Sequence, residues 1–334
     1  MSSIKKVAKA CGVSTRTVNR AFNMTSSVAP KTRAKILKIA KKLGYTPNPA
    51  ALALKTGKSF EVTVVLGLLE EHHVDKIVGF EKVMKKAGYS VNIVFASNQC
   101  NDWQSISEMV KNHIDAVAIF PEIDLDNMGE IVNRFEEKGL PYIFIDPITN
   151  CFDSVLIDRK VGMDEAIRHM AVNGRKKIAY LGPTEKSFYT QVRLQAYLNA
   201  MAELKQEPIV FGTPEDSRPS EQHKFGAWSI FQIFSYPKKV DAIQVYTDAM
   251  AIGLLGSLQR TGKKVPKEIA IMGFDNREFS KYTNPPLSTV ALPNEEAGDA
   301  AARILLDKMA KKTKPKNGWR TVLPTKLIVR ESSF

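Results

Sequence analysis

Residues 4–22 read IKKVAKACGVSTRTVNRAF, and this stretch decides the first part of the fold. Ile4, Val7, Ala8 and Cys11 recur at helical spacing, and Gly12 stops the run. Ser14 is placed to cap a second helix through Thr15–Phe22, with Val18, Ala21 and Phe22 inward. Counted from Ile4, a small residue (Ala8) is fifth, Gly12 ninth and branched Val18 fifteenth. That spacing gives two helices a close crossing, a turn and a lock, as a helix-turn-helix requires. A third helix is expected from Pro30 to a stop at Gly44, with Ile36, Leu37, Ala40 and Leu43 inward. Cys11 lies on the apolar face of the first helix and reads as a small core residue.

The same region carries the whole net charge. The chain has 334 residues, 48 basic and 35 acidic, and a formal charge of +13. Thirteen Lys and Arg precede Phe60, and the first carboxylate is Glu61, which leaves the remainder neutral. A solvated face mixes signs because like charges on neighbouring turns repel. Unopposed cations on a helical module call for an anionic partner, and DNA satisfies this. A protein-binding three-helix module would leave the asymmetry unexplained. The three cysteines, Cys11, Cys100 and Cys151, are scattered and odd in number, so neither disulfides nor a thiolate zinc site is expected. With no membrane-length apolar run and no secretion signal, the expectation is a cytoplasmic protein without a membrane partner.

From Glu61 the pattern alternates between β-rich runs and amphipathic helices, the mark of α/β units around parallel sheets. Strands are expected at Val62–Leu69, Val91–Ala96, Ala116–Phe120 and Tyr142–Ile145, with helices at Val74–Ala87, Trp103–Asn112 and Leu125–Lys138 between them. A second series runs through Ile178–Leu181, Ile209–Phe211, Ala242–Tyr246 and Ile269–Gly273. Two open sheets place a ligand cleft at the C-terminal ends of their strands.

VSTRTVNRAFN (Val13–Asn23), KTRAKI (Lys31–Ile36) and LGYTPNPAALALKTGKS (Leu43–Ser59) resemble the head and hinge of the lactose/galactose-repressor (LacI–GalR) family of bacterial transcriptional regulators. The likeness continues through Val155–Pro183, Asp241–Asn276, Pro285–Val290 and Leu323–Ser333, so it covers essentially the whole chain. It implies an all-α helix-turn-helix head (1–47), a hinge (48–60) and a periplasmic-binding-protein-like core (61–334) of two Rossmann-like subdomains. The first subdomain is expected at about 61–158 and 292–320, the second at about 161–289 and 322–334. Three strand crossings join them, near 158–161, 289–293 and 318–323.

The resemblance also assigns roles. Thr15, Arg16 and Arg20 are expected to face base edges, Arg being suited to grip guanine bidentately. Thr17, Asn19, Asn23, Lys31 and Thr32 match positions that hold phosphates and set register. Leu54 is the expected minor-groove wedge of a hinge that folds on double-stranded operator DNA beside its copy in a homodimer. No apolar heptads follow the last strand, which favours a dimer over a helix-linked tetramer. Asp146 on the first lobe, with Arg193 and Asp275 on the second, match effector contacts, and carboxylates with a guanidinium suit a sugar or sugar derivative. Thr247 stands where the family has Asn. Where the family has Asn-Pro and two aromatics, this chain has Glu70-Glu71-His72-His73. That cluster is expected as a solvated lip, with His73 the candidate to touch the ligand; adjacent side chains seldom share one metal ion, so none is expected. No cofactor is expected either. An enzyme would need a phosphate-binding Gly loop or a nucleophile elbow, and neither is in the sequence. A core that has lost its ligand and serves only to dimerise is the remaining rival.

Overall fold

The computed structural model describes residues 3–22, 28–45, 57–67, 69, 71–95, 114–120, 128–147, 152–184, 188–214, 218–315 and 318–334. Helices α1 (Ile4–Cys11), α2 (Thr15–Phe22) and α3 (Pro30–Lys42) form where the apolar spacing puts them. Gly12 ends α1 at φ 70°, donating its N–H to the Ala8 and Lys9 carbonyls, a backbone conformation that glycine adopts at no steric cost. Ser14 Oγ accepts the Thr17 N–H at 3.1 Å, the capping contact its position implies. Val7, Val18 and Ile36 form the buried centre with Ala8, Cys11, Ala21 and Ala40 around them.

Two of the expected inward residues of α3 do not go inside. Leu37 is 40% and Leu43 39% exposed. Three short helices enclose a core only one layer deep. It closes on Ile36 and Ala40 and leaves the flanks of α3 in solvent. Ala29 contributes no side-chain cap to α3, which starts on Pro30 alone.

The chain divides into two compact units, one of residues 1–70, 76–145 and 298–319, the other of 71–75, 146–297 and 320–334. The first contains β1 (Glu61–Leu66), the helix α4 (Glu71–Lys86) that enters it, β2 (Ser90–Phe95), β3 (Ala116–Ile119), α5 (Met128–Glu137) and β4 (Tyr142–Ile145). β1 pairs in parallel with β2 and β3, and β3 with β4. β1, β3 and β4 are the buried runs of Val, Ile, Ala and Phe that the sequence marks, whereas β2, expected to be buried as well, is the edge strand and leaves Ile93 and Phe95 exposed. Asp115 fixes the entry to β1, its two carboxylate oxygens accepting the Ser59 and Phe60 N–H groups at 2.9 and 3.0 Å. The helix expected at Trp103–Asn112 lies outside the described residues.

In the second unit β5 (Ser154–Asp158) leads into α6 (Arg159–Val172), capped by Asp158, whose carboxylate accepts the Lys160 N–H. Then β6 (Ile178–Pro183), α7 (Phe188–Glu203), β7 (Ile209–Thr213), α8 (Pro219–Ser235), β8 (Ala242–Val245), α9 (Asp248–Arg260) and β9 (Ala270–Met272) alternate. They build a parallel sheet in the order β7-β6-β8-β9. A 3-10 turn (Glu278–Tyr282), β10 (Thr289–Ala291), α10 (Asn294–Met309), β11 (Arg320–Pro324) and β12 (Lys326–Ile328) complete the chain. β10 pairs antiparallel with β12, and β11 parallel with β5. Helices α8 and α9 cross on two glycines. A Cβ on Gly226 would lie 1.9 Å from the Met250 carbonyl oxygen, and one on Gly253 2.0 Å from that of His223. No helix among the described residues is long and apolar enough to cross a membrane.

Candidate DNA-binding and effector-binding sites

On the head, Thr15, Arg16 and Arg20 are exposed along one side of α2, while Val18 and Ala21 face the core. Arg16 and Arg20 are four residues apart and so share a helix face. Lys31 is exposed and Thr32 half-buried at the start of α3; Thr17 and Asn19 are half-buried. The Thr17 hydroxyl lies 3.0 Å from Ser14 Oγ, so it is held within the turn. Sequence reasoning missed a structural use for one cation: Lys35 Nζ donates to the Cys11 carbonyl at 3.2 Å, satisfying an orphan acceptor at the C-terminus of α1. Asn23 and Leu54 lie outside the described residues.

In the second unit a polar cluster forms at the C-terminal ends of the strands. Arg193, on α7, donates from Nη1 to the Tyr246 carbonyl at 2.5 Å and from Nη2 to Asp275 Oδ1 at 2.9 Å. Its guanidinium carbon sits 4.6 Å from the Tyr246 ring centroid and 4.2 Å from that of Phe274, which holds it flat by cation–π contact. Its Nε is buried without a hydrogen-bond partner among the described residues. Asp275 follows β9 at φ 109°. Its second oxygen lies 3.9 Å from Arg277 Nε, and Arg277 Nη1 reaches Glu71 at 2.6 Å. Asp275 is therefore flanked by two guanidinium groups. Thr247 caps α9, accepting the Met250 N–H, and donates its hydroxyl to Gln222 Oε1 at 2.7 Å.

Beneath this cluster Asp248 is fully buried. It accepts from Thr289 Oγ1 at 2.6 Å, from the Arg277 N–H at 2.8 Å and from Ser280 Oγ. Burial, and then the neighbouring Asp275 charge, push its carboxyl up to about 7 against those three donors. Thr213 Oγ1 at the end of β7 and His223 Nε2 on α8 are also buried without partners among the described residues. Burial lowers the His223 pKa, so its imidazole is held neutral.

One expected placement gains a partner and one changes. Asp146 directly follows β4, at the strand end that the sequence gives it. There both its oxygens are bound by Arg159, at 2.6 and 3.0 Å, in a buried pair. A buried carboxylate takes the nearest guanidinium because an uncompensated charge costs several kcal/mol, and the sequence gives no sign that Arg159 turns back to it. The solvated lip is not observed at His73. Helix α4 starts at Glu71, three residues before the expected Val74, and His73 is 2% exposed on its inner face. Glu71 in the first turn suits the positive helix terminus, which draws the acidic start into the helix. The His72 and His73 rings lie 4.0 Å apart. Among the described residues no cluster of His, Cys, Asp or Glu could hold a metal. Arg277 joins the cluster without having been singled out for it, although it stands two residues after Asp275, a spacing that could have drawn attention.

A helix-turn-helix head on a ligand-binding α/β core defines an effector-controlled, DNA-binding regulator. Residues 3–48 match the lacI family of bacterial regulatory proteins, and residues 167–333 match the periplasmic binding protein-like domain. The chain belongs to the LacI family and, with it, to regulators rather than enzymes. It is 26% identical over 341 residues to the HTH-type transcriptional repressor PurR of Vibrio vulnificus (strain CMCP6), covering 99% of this chain and 98% of that protein. Its fold is similar to that of the lac repressor dimer bound to operator and the anti-inducer ONPF, at TM-score 0.78 and 22% identity over 100% of this chain and 99% of that one. It is also similar to the transcriptional regulator CelR in complex with cellobiose, at TM-score 0.68 and 23% identity, covering 99% and 100%.

Proposed function

We propose that this protein is a homodimeric repressor whose α2 reads an operator through Thr15, Arg16 and Arg20. In this reading Thr17, Asn19, Asn23, Lys31 and Thr32 hold phosphates, Leu54 is the hinge wedge, and residues 1–47, 48–60 and 61–334 are head, hinge and core. The effector is a sugar or sugar derivative held at the strand ends of the second unit by Arg193, Asp275 and Thr247. One observation carries this assignment: Arg193 is clamped between two rings and paired with Asp275, yet keeps a buried, unpartnered Nε. A guanidinium and a carboxylate fixed edge to edge present the donor and acceptor that vicinal hydroxyls require. The CelR complex with cellobiose shows that this fold houses a sugar in a related regulator. Asp146 and His73 are second to these, since each is already built into its surroundings.

A tenfold change in operator affinity needs about 1.4 kcal/mol of difference between the ligand's affinities for two protein states. The test is operator titration with and without mono- and disaccharides, sugar acids and sugar phosphates. Arg193→Ala should abolish the response to any active compound and leave operator binding without it within a few-fold. A response that persists in Arg193→Ala at wild-type concentrations overturns the assignment. If no compound changes operator affinity or the melting temperature, the core serves dimerisation alone.

A further inference from the structure

Strands β8 and β9 have two ends, and the effector assignment uses one of them. At the other, the N-terminal end, lies a cavity of about 400 Å³. It is formed where the last turns of α8 and α9 part, between the segments that lead into β8 and β9. Ile233, Val240, Leu258 and Ile269 line it, each under 8% exposed, so its floor belongs to the apolar core of the unit. Phe234, half exposed, and Tyr236 wall it with two rings. Such a volume lies in the range of small-molecule sites, about 300–1,000 Å³. Seven residues of extended chain from Val240 to Thr247 put it roughly 20 Å from the effector cluster.

The charges around the mouth decide what fits. Lys238, Lys239, Lys263 and Glu268 border the cavity. Lys263 is paired with Glu268 at 2.8 Å, and Lys238 with Glu207 at 2.8 Å. Glu268 also accepts the Lys264 N–H at 2.9 Å, and these contacts lower its pKa, so it stays ionised and bound. Lys239 makes no side-chain hydrogen bond or ion pair among the described residues. Glu268 feels the Lys239 charge as well, but two carboxylates, Glu207 and Glu268, face three ammonium groups, so the mouth carries one net positive charge above an apolar, ring-walled floor. A doubly charged ligand would find one counter-charge too few, and a sugar would leave its hydroxyls unpaired against the aliphatic lining. A hydrophobic body bearing a single carboxylate satisfies both halves.

We propose that this cavity is a second small-molecule site of the protein, taking a hydrophobic monocarboxylate whose apolar part enters the floor and whose carboxylate meets Lys239. The site is independent of the effector assignment. It stands on separate residues at the opposite end of the sheet, and one ligand does not require the other.

The test is isothermal titration of the full chain with 2-naphthoate, beside its neutral isostere 2-naphthamide. The expected result is saturable binding of the acid at one site per chain, with the amide clearly weaker. Lys239→Glu should weaken the acid about tenfold or more, the loss of one charge-assisted contact. Because Lys239 is exposed, this change should leave the melting temperature unaltered. Lys326→Glu, the same charge change at an exposed lysine that does not border the cavity, should bind the acid as wild type does. No saturable binding, equal binding of acid and amide, or wild-type affinity in Lys239→Glu would overturn the proposal. An equal loss in Lys326→Glu would make the effect one of overall charge and overturn it too. A failure here leaves the sugar reading standing, because that reading is decided by operator titrations.

Discussion

The head and the second unit use arginine in opposite ways. On α2, Arg16 and Arg20 stand exposed on one helix face in a segment with no carboxylate at all. In the second unit Arg159, Arg193 and Arg277 are each bound to a carboxylate, at 2.6, 2.9 and 2.6 Å. Exposed cations in a segment without carboxylates attract a polyanion over a Debye length, about 8–10 Å at physiological salt. Buried, paired ones have no such reach; they fix geometry, and their net contribution depends on what else satisfies them. The first arrangement suits recognition of a long, uniformly charged surface, the second recognition of a small molecule with few groups.

The largest way to break this contrast is to damage the second unit without touching the head. Gly226→Ala drives a methyl into the Met250 carbonyl, where backbone cannot yield cheaply. A loss of about 3 kcal/mol or more is expected, since overpacking already costs 1–3 kcal/mol where side chains can shift. Urea denaturation checks it, and a wild-type midpoint would mean that α8 and α9 do not cross on this glycine. Next in size are the arginines proposed to face bases. Arg16→Ala or Arg20→Ala should cost about 1–3 kcal/mol of discrimination between operator and unrelated duplex, whereas Lys31→Ala weakens both alike. Competition titrations read this directly, and equal losses on both duplexes for all three variants would erase the distinction between reading and holding.

The smallest expected effect sharpens the electrostatics of the second unit. The Asp248 carboxyl is pushed from 3.8 up to about 7 when folded. A raised folded-state pKa contributes stability that is fully present below the unfolded value and is lost as pH rises through the folded one. The melting temperature should therefore fall by a few degrees between pH 5 and 8, and Asp248→Asn, which cannot titrate, should flatten that fall. An unchanged slope in the variant would mean that Asp248 is ionised throughout.

The same contrast explains what could be read before the structure. The head was legible because its signals are local: Ile4, Val7 and Ala8 at helical spacing, Gly12 at the turn, and cations with nothing to cancel them. The strands were legible because buried parallel strands are continuous apolar runs. The pairings of the second unit were not. Asp146 and Arg159 are thirteen residues apart, Arg193 and Asp275 eighty-two, and Glu71 and Arg277 two hundred and six. Opposite charges that cancel within a fold leave no trace in composition, so only the resemblance to a family pointed to Arg193 and Asp275, and nothing pointed to Arg277. Leu37 and Leu43 show the converse limit: helical spacing marks a face, but the size of the core decides how much of it is covered.

The thirteen cations of the head and hinge, with no carboxylate among them, are proposed to bring a dimer onto an operator. This is tested most directly by selecting a site from random duplexes with the full chain and then following its affinity from 50 to 200 mM salt. The expected result is a pseudo-palindromic site of two half-sites. If about a dozen phosphates are contacted, the log–log salt slope should be about −10. A single asymmetric half-site, or an affinity that scarcely responds to salt, would contradict it.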